Sequence, residues 1–310
     1  MKVLVTGAGG FVGRALVPYL SELGFEVVAA TRLGISPGEV AVADIGPVTN
    51  WTVALAGCQA VVHAAARVDR MEESAMEGLE KARRVNTAGS LELARQAATA
   101  GVRRFIFISS VKVNGESGFF NANSPCQPVD AYGISKHEAE VGLAEIATQT
   151  GMQLIVLRLP IVYGPGVGSN FLRLMRLVER GLPLPFAAVD NRRSLVYLGN
   201  LIDAIGACLR TPIVGNYSWY VSDNEVISVP ELICALSSAM GVKNYLLPLP
   251  PFVLHLIAVA LGKAADSRRL LGSLVVDSAS LREELGWRAP YSMAQGLRAT
   301  VVWYREQRAE

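Results

Sequence analysis

Cysteine, charge and long apolar runs are all in short supply in this chain of 310 residues. Only four cysteines occur, Cys58, Cys126, Cys208 and Cys234, and none stands in a CxxC pair. That scatter argues against a zinc site or a disulfide framework and fits a reducing cytoplasm. No metal site is expected. Charged residues make up 18% of the chain and the formal net charge is +2, so no strong field draws it to nucleic acid. Apolar residues at 51% with so little charge are incompatible with a disordered chain. No apolar stretch reaches the roughly 20 residues of a membrane-spanning helix. The most apolar one, 252–261, is broken by His255, follows Pro250-Pro251 and stops at Gly262. It is expected to be a helix buried under a lobe, not one lying on a membrane surface. From Met1 the chain runs straight into a glycine cluster, so no secretion signal is expected either.

What is present is alternation. Residues 2–6, 26–30, 39–43, 61–65, 105–109 and 153–158 read as strands, and 12–23, 82–99 and 132–150 as helices. Strand–helix alternation implies an α/β fold with a parallel sheet and helices on both faces. Continuous apolar strands such as Phe105-Ile106-Phe107-Ile108 belong in its centre. After Tyr163-Gly164-Pro165-Gly166 the texture changes to helices separated by Pro-rich joints at 182–185, 247–251 and 289–291. These joints are expected to be loops lining a cleft. A smaller second lobe is expected there, interleaved with one return to the sheet near 217–221.

Gly7-Ala8-Gly9-Gly10-Phe11-Val12-Gly13 follows the first strand and opens a helix. Such a turn needs residues tolerant of positive φ, and bare backbone at a helix N-terminus suits a pyrophosphate. The third glycine allows helix and strand to pack closely. Dinucleotide binding is the expectation. The second strand then ends in Thr31-Arg32, where an NAD site usually places a carboxylate for the ribose hydroxyl. A guanidinium there can hold a 2′-phosphate, so NADP(H) is expected to be preferred, with NAD(H) possible. Asp44 fits either an adenine contact, with Ile45 packing on the ring, or a simple turn. His63 precedes Ala64, Ala65 and Ala66, small residues that would let a cofactor lie against backbone. With no acidic neighbour in sequence, His63 reads as a structural donor.

Ser109-Ser110 ends an apolar strand at the edge where open α/β sheets bind ligands. Tyr132 and Lys136 are four apart, hence on one helix face. A phenol with an ordinary pKa near ~10 exchanges protons poorly at neutral pH. A neighbouring ammonium stabilises phenolate and draws that value down. A serine hydroxyl can hold the substrate oxygen meanwhile.

These motifs, with Asn86-Thr87-x-Gly89 and Leu157-Arg158-x-Pro160 through Pro165, resemble the extended short-chain dehydrogenase/reductases that act on nucleotide sugars. The resemblance covers essentially the whole chain. It implies a Rossmann-type, doubly wound parallel sheet over 1–166 with a return near 189–222. A smaller, mostly helical substrate lobe would occupy 167–188 and 223–310. It implies Ser110, Tyr132 and Lys136 as the catalytic trio, with Lys136 also bonding the nicotinamide ribose. Cofactor contacts would come from Gly7, Gly10, Phe11, Val12, Gly13, Arg32, Asp44, Ile45, Ala64, Ala65, Ala66 and Pro160. Asn86 would be a structural or cofactor-side residue. Asn170, Arg193 and Arg268 (or Arg269) would hold the substrate diphosphate, for which an arginine fork is suited. A homodimer through 82–99 and 132–150 is a further expectation from this resemblance.

Three chemistries share such a scaffold. The run Ser109-Ser110-Val111-Lys112-Val113-Asn114 carries no Asp-Glu pair, which argues against dehydration. Arg32 argues for exchangeable NADPH and hence for reduction of a UDP-linked 4-keto-6-deoxy-N-acetylhexosamine, in surface-polysaccharide synthesis. An NAD-dependent UDP-hexose 4-epimerase is the alternative. A reductase of small ketones or a non-catalytic dinucleotide sensor stands behind both.

Overall fold

The computed structural model describes residues 1–34, 38–42, 44–68 and 75–309. The chain opens with β1 (Lys2–Thr6), α1 (Phe11–Glu22), β2 (Glu26–Thr31), β3 (Glu39–Ala41), α2 (Thr52–Leu55) and β4 (Ala60–His63). Next come α3 (Ala75–Ala82), a π-helical turn at Arg83–Gly89, α4 (Ser90–Thr99), β5 (Arg104–Ser110), β6 (Gly118–Phe120) and α5 (Ala131–Thr150). β7 (Gln153–Leu159), β8 (Ile161–Tyr163), α6 (Ser169–Glu179), β9 (Arg193–Tyr197), α7 (Leu198–Arg210) and β10 (Tyr217–Tyr220) follow. The chain ends with β11 (Val226–Ile227), α8 (Val229–Met240), α9 (Pro251–Ala260), α10 (Ala264–Leu271), β12 (Leu274–Val276), α11 (Ala279–Leu285) and α12 (Met293–Ala309).

Seven strands form one parallel sheet in the order β10-β7-β5-β4-β1-β2-β3. Side chains alternate between its two faces because the strand period is two. Val3, Val5, Ile106 and Ile108 therefore pack with α1 and α7, while Leu4, Phe105 and Phe107 pack with α4 and α5. Each fully buried branched or aromatic side chain adds about 1.5–3 kcal/mol. This is the doubly wound arrangement, and β10 is the expected return to the sheet. A smaller sheet, β11-β9-β12-β6 with β8 beside β9, adjoins a third core built from α6, α8 and α12.

Several expected boundaries shift for local reasons. The third strand ends at Ala41, and Ala43 lies outside the described residues. The fourth strand stops at His63, so Ala64, Ala65 and Ala66 form the connection beyond it. The helix expected from 82 continues back to Ala75, and its π turn carries Asn86 and Gly89. A methyl group on Gly89 would stand 2.6 Å from Ile45 Cγ2, so only glycine permits that approach. Two Pro-rich joints pair with each other: Leu184 bridges Leu246. The expectation for 252–261 fails outright. α9 is a helix, but it buries none of its residues. Among the described residues no helix is long and apolar enough to cross a membrane.

One polar network crosses the sheet interior. Glu140, buried on α5, accepts from Ser109 Oγ at 2.5 Å and pairs with Arg158 Nη2 at 2.6 Å. Arg158 Nη1 lies 3.5 Å from Asn114 Oδ1, which also accepts from Tyr220 OH at 2.8 Å. Removing one member of a buried ion pair leaves an uncompensated charge, at about 3–5 kcal/mol. Arg158→Met is therefore expected to lower unfolding free energy in urea by about that amount, and Arg158→Met with Glu140→Met to recover most of it. A double variant no more stable than the single one would show that the pair is not what fastens α5 here.

Candidate active site

The site begins where β1 turns into α1. Gly7 adopts a left-handed φ of 68°, and a Cβ there would lie 2.7 Å from the backbone nitrogen of Ala65. Gly13 is tighter still: a Cβ would stand 2.2 Å from the Gly7 carbonyl oxygen. Gly10 caps α1 with extended backbone and no side-chain cap, and a Cβ on Gly9 would meet only open space. Phe11 packs against Gly166, where a Cβ would be 3.5 Å from its ring, and Val12 packs into the sheet core. The helix N-terminus thus offers bare amides beside a gap that side chains do not fill. A dinucleotide pyrophosphate fits such a cradle.

His63 lies directly below. Its Nδ1 is 2.6 Å from Thr6 Oγ1, its Nε2 is 2.8 Å from Ser90 Oγ, and its ring stacks on Phe107. Burial first, and the Lys136 charge second, push its pKa down to about 3, so it stays neutral. It is a strut, as its sequence context implied. Asn86 bonds the Arg67 backbone through both amide atoms and reaches Ser135 Oγ at 3.0 Å.

β5 and α5 bring the expected serine, tyrosine and lysine to one edge of the sheet. The two serines at the end of β5 part ways: Ser109 is buried on Glu140, while Ser110 is partly exposed and caps a single 3₁₀ turn, accepting from Lys112 N at 3.2 Å. Asp130 starts α5 by accepting from Gly133 N at 2.7 Å, and Gly151, left-handed at 73°, ends it. A Cβ on Gly133 would lie 2.6 Å from the Lys112 carbonyl oxygen. That glycine therefore lets the first turn of α5, with Tyr132, sit directly on the Ser110–Lys112 turn. Sequence reasoning passed over Gly133; a glycine immediately after the tyrosine of a helix's first turn was the available signal. Lys136 is fully buried, donates to the Ile108 carbonyl at 2.7 Å and lies 5.9 Å from the Tyr132 ring centroid. Burial pushes its pKa down to about 7 against the opposing pull of Glu140.

Other expected residues fall in different settings. Arg32 is exposed past β2, and Thr31 Oγ1 donates at 3.1 Å to Glu39, a carboxylate from β3 that sequence reasoning did not connect with this strand end. Asp44 is exposed and its carbonyl accepts from Thr49 Oγ1 at 2.9 Å, while Ile45 abuts Gly89. Pro160 is buried between β7 and β8. Asn170 is exposed at the start of α6. It follows Ser169, the only non-glycine with left-handed φ among the described residues, at 52°. Arg193 Nη1 donates to the carbonyls of Arg269 and Gly272, and Arg268 is exposed. Arg269 pairs with Glu116 at 2.5 Å and lies 3.6 Å from Asp130, which brings α10 to the mouth of the site. Cys126, His137 and Glu140 gather their ligand atoms within 4.8 Å. Arg158 lies among them, 3.4 Å from Cys126 Sγ, so its guanidinium already supplies the positive charge of that cluster.

Residues 3–218 match the NAD dependent epimerase/dehydratase family. A UDP-glucose 4-epimerase of Vibrio cholerae is 40% identical over 309 residues, covering 97% of this chain and 94% of that protein. An Escherichia coli O157:H7 protein, N-acetyl-alpha-D-glucosaminyl-diphospho-ditrans,octacis-undecaprenol 4-epimerase, is 25% identical over 318 residues, covering 97% of this chain and 95% of its own length. Among solved structures, MoeE5 in complex with UDP-glucuronic acid and NAD superposes with a TM-score of 0.80 at 23% identity, over 99% of this chain and 100% of that one, a likeness of fold. Sheet order, glycine turn and full-length similarity agree: the chain belongs to the NAD dependent epimerase/dehydratase family, the extended short-chain dehydrogenase/reductases.

Proposed function

We propose that this protein is a nucleotide-sugar 4-epimerase that keeps NAD bound and inverts C4 of a UDP-hexose. The observation that carries the reading is the placement of Ser110, Tyr132 and Lys136 at one sheet edge beside the glycine cradle. The full-length relative at 40% identity, a UDP-glucose 4-epimerase, supports epimerisation over the reduction expected from Arg32.

The cofactor, when bound, supplies reversible hydride exchange with the sugar carbon. The chain's residues supply the rest. The α1 amides after Gly10, with Gly7, Phe11, Val12 and Gly13 around them, hold the pyrophosphate, and the bare backbone of Ala64, Ala65 and Ala66 faces the dinucleotide. Tyr132 takes the proton from the sugar C4 hydroxyl and returns it to the same oxygen. Ser110 hydrogen-bonds that oxygen, and Lys136, anchored on the Ile108 carbonyl, stabilises the phenolate and bonds the nicotinamide ribose. Arg268 and Asn170 hold the diphosphate. Arg193 is the weaker candidate because one guanidinium nitrogen is already committed to backbone carbonyls.

A second reading, an NADPH-dependent 4-keto-sugar reductase, is favoured by one observation: no carboxylate belongs to the residues ending β2, where Arg32 stands. The two part cleanly in one experiment. The epimerase interconverts UDP-glucose and UDP-galactose without added cofactor and releases NAD on denaturation. Stoichiometric NADPH consumption with a UDP-4-keto sugar, and no epimerisation, selects the reductase.

Tyr132→Phe is expected to retain the dinucleotide and lose turnover by about 10²–10⁴-fold. A variant keeping more than about a tenth of the wild-type rate would remove Tyr132 from the proton path. With Lys136 held at about 7, the Tyr132–Lys136 pair gives up one proton in the neutral range, whichever group carries the remaining one. Oxidation of the C4 hydroxyl needs that deprotonated pair, so kcat should rise with pH through neutrality. In Lys136→Met the same limb should move towards the ordinary phenol value near ~10. A limb that stays where it was in the pH–rate profile would mean that Lys136 does not tune Tyr132.

A further inference from the structure

Between Glu231 and Asp266 the chain has no carboxylate, and its only formal charges are Lys243 and Lys263. This stretch contains α9, which buries no residue. Phe252 is 67% exposed and Leu256 61%, and Ile257, Val259 and Leu261 are exposed around them. Leu182, Tyr245 and Leu247 are exposed beside the Leu184–Leu246 bridge. Single exposed apolar residues are ordinary; this many within residues 245–261 mark a surface that something covers.

The charges around the patch indicate what covers it. Arg180 and Lys243 lie together at one end, where a Cβ on Gly181 would be 3.6 Å from the Lys243 carbonyl oxygen. Lys263 follows α9 at the other, its backbone N–H donating to the Ala258 carbonyl at 2.7 Å. All three are exposed, and none forms an ion pair among the described residues. A second copy packed α9 against α9 would bring Lys243 and Lys263 together across a stretch that carries no carboxylate of its own. A surface of phosphates over hydrocarbon satisfies both the cations and the apolar side chains. The face is also fixed relative to the site: His255 Nδ1 is 2.6 Å from Ser267 Oγ, which ties α9 to α10, and Arg269 of α10 reaches Glu116 and Asp130 beside Tyr132.

We propose that this face docks on a lipid bilayer bearing anionic headgroups. Phe252, Leu256 and their neighbours lie at the headgroup–acyl boundary, and Arg180, Lys243 and Lys263 meet the phosphates. The mouth of the candidate active site then stands next to the membrane surface. This inference does not depend on which sugar chemistry the site performs.

The test is co-sedimentation of the full chain with phosphatidylcholine vesicles, with and without phosphatidylglycerol. Binding is expected only with phosphatidylglycerol and should weaken as salt rises. Phe252→Glu with Leu256→Glu should lower the apparent vesicle affinity about tenfold or more while melting temperature and NAD binding stay at wild-type values. Lys243→Glu with Lys263→Glu provides an independent route to the same loss, should the first pair disturb the fold. The proposal is overturned if the wild-type chain ignores anionic vesicles or binds neutral ones equally. It is also overturned if neither pair weakens binding, or if sedimentation velocity shows a dimer that Phe252→Glu with Leu256→Glu splits.

Discussion

One face of α5, fastened to β5 and β7, holds this structure's chemistry in place. Tyr132, Lys136 and Glu140 recur every four residues along it, and the lower two are tied to the sheet. Lys136 donates to the Ile108 carbonyl, and Glu140 takes Ser109 from β5 and Arg158 from β7. Gly133 removes the side chain that would hold the helix off the Lys112 backbone. The first turn of α5, which carries Tyr132, is therefore set against the Ser110 turn by regular elements and their polar anchors, with little left to loop conformation. Such anchoring keeps a constellation within the tolerance that proton transfer requires.

The same fastening carries an electrostatic cost. Lysine buried to this depth loses much of its preference for the charged form, which is why its pKa falls to about 7. A phenolate at Tyr132 would offset that loss, as the proposed proton path requires. His63, equally buried below, is kept neutral with both nitrogens engaged, and adds no second charge to the site. Across the sheet edge, the glycines of the first turn leave backbone amides uncovered where a pyrophosphate would lie.

The second sheet and its helices bring a different surface to the mouth of this site. α9 exposes apolar side chains on a stretch with no carboxylate, while α10 beside it reaches the residues that flank Tyr132. An amphipathic helix buries one stripe and wets the other, whereas this one is almost wholly apolar yet buries no residue and meets the third core through Leu254. Composition alone read it as interior for that reason. Its position follows from where the short β12 and the Leu184–Leu246 bridge leave the chain, a long-range matter that no local pattern encodes.

What was legible in the residues themselves were the features with short-range causes. Alternating strands and helices, the Gly7–Gly13 turn and the Tyr132–Lys136 spacing each follow from backbone geometry within a few positions, and the fold carries all of them. The structural role of His63 was legible too, because no partner for base chemistry stands near it in sequence. Tertiary structure alone decided which of two adjacent serines is spent on Glu140, since strand alternation turns Ser109 inward and leaves Ser110 at the edge. It also decided that Glu39 meets the end of β2, that Arg193 is partly committed to carbonyls of α10 and its exit, and that 252–261 lies outside. Those outcomes depend on contacts between segments far apart in sequence. Periodicity tells a residue which side of its own element it occupies, and only packing tells it what waits on that side.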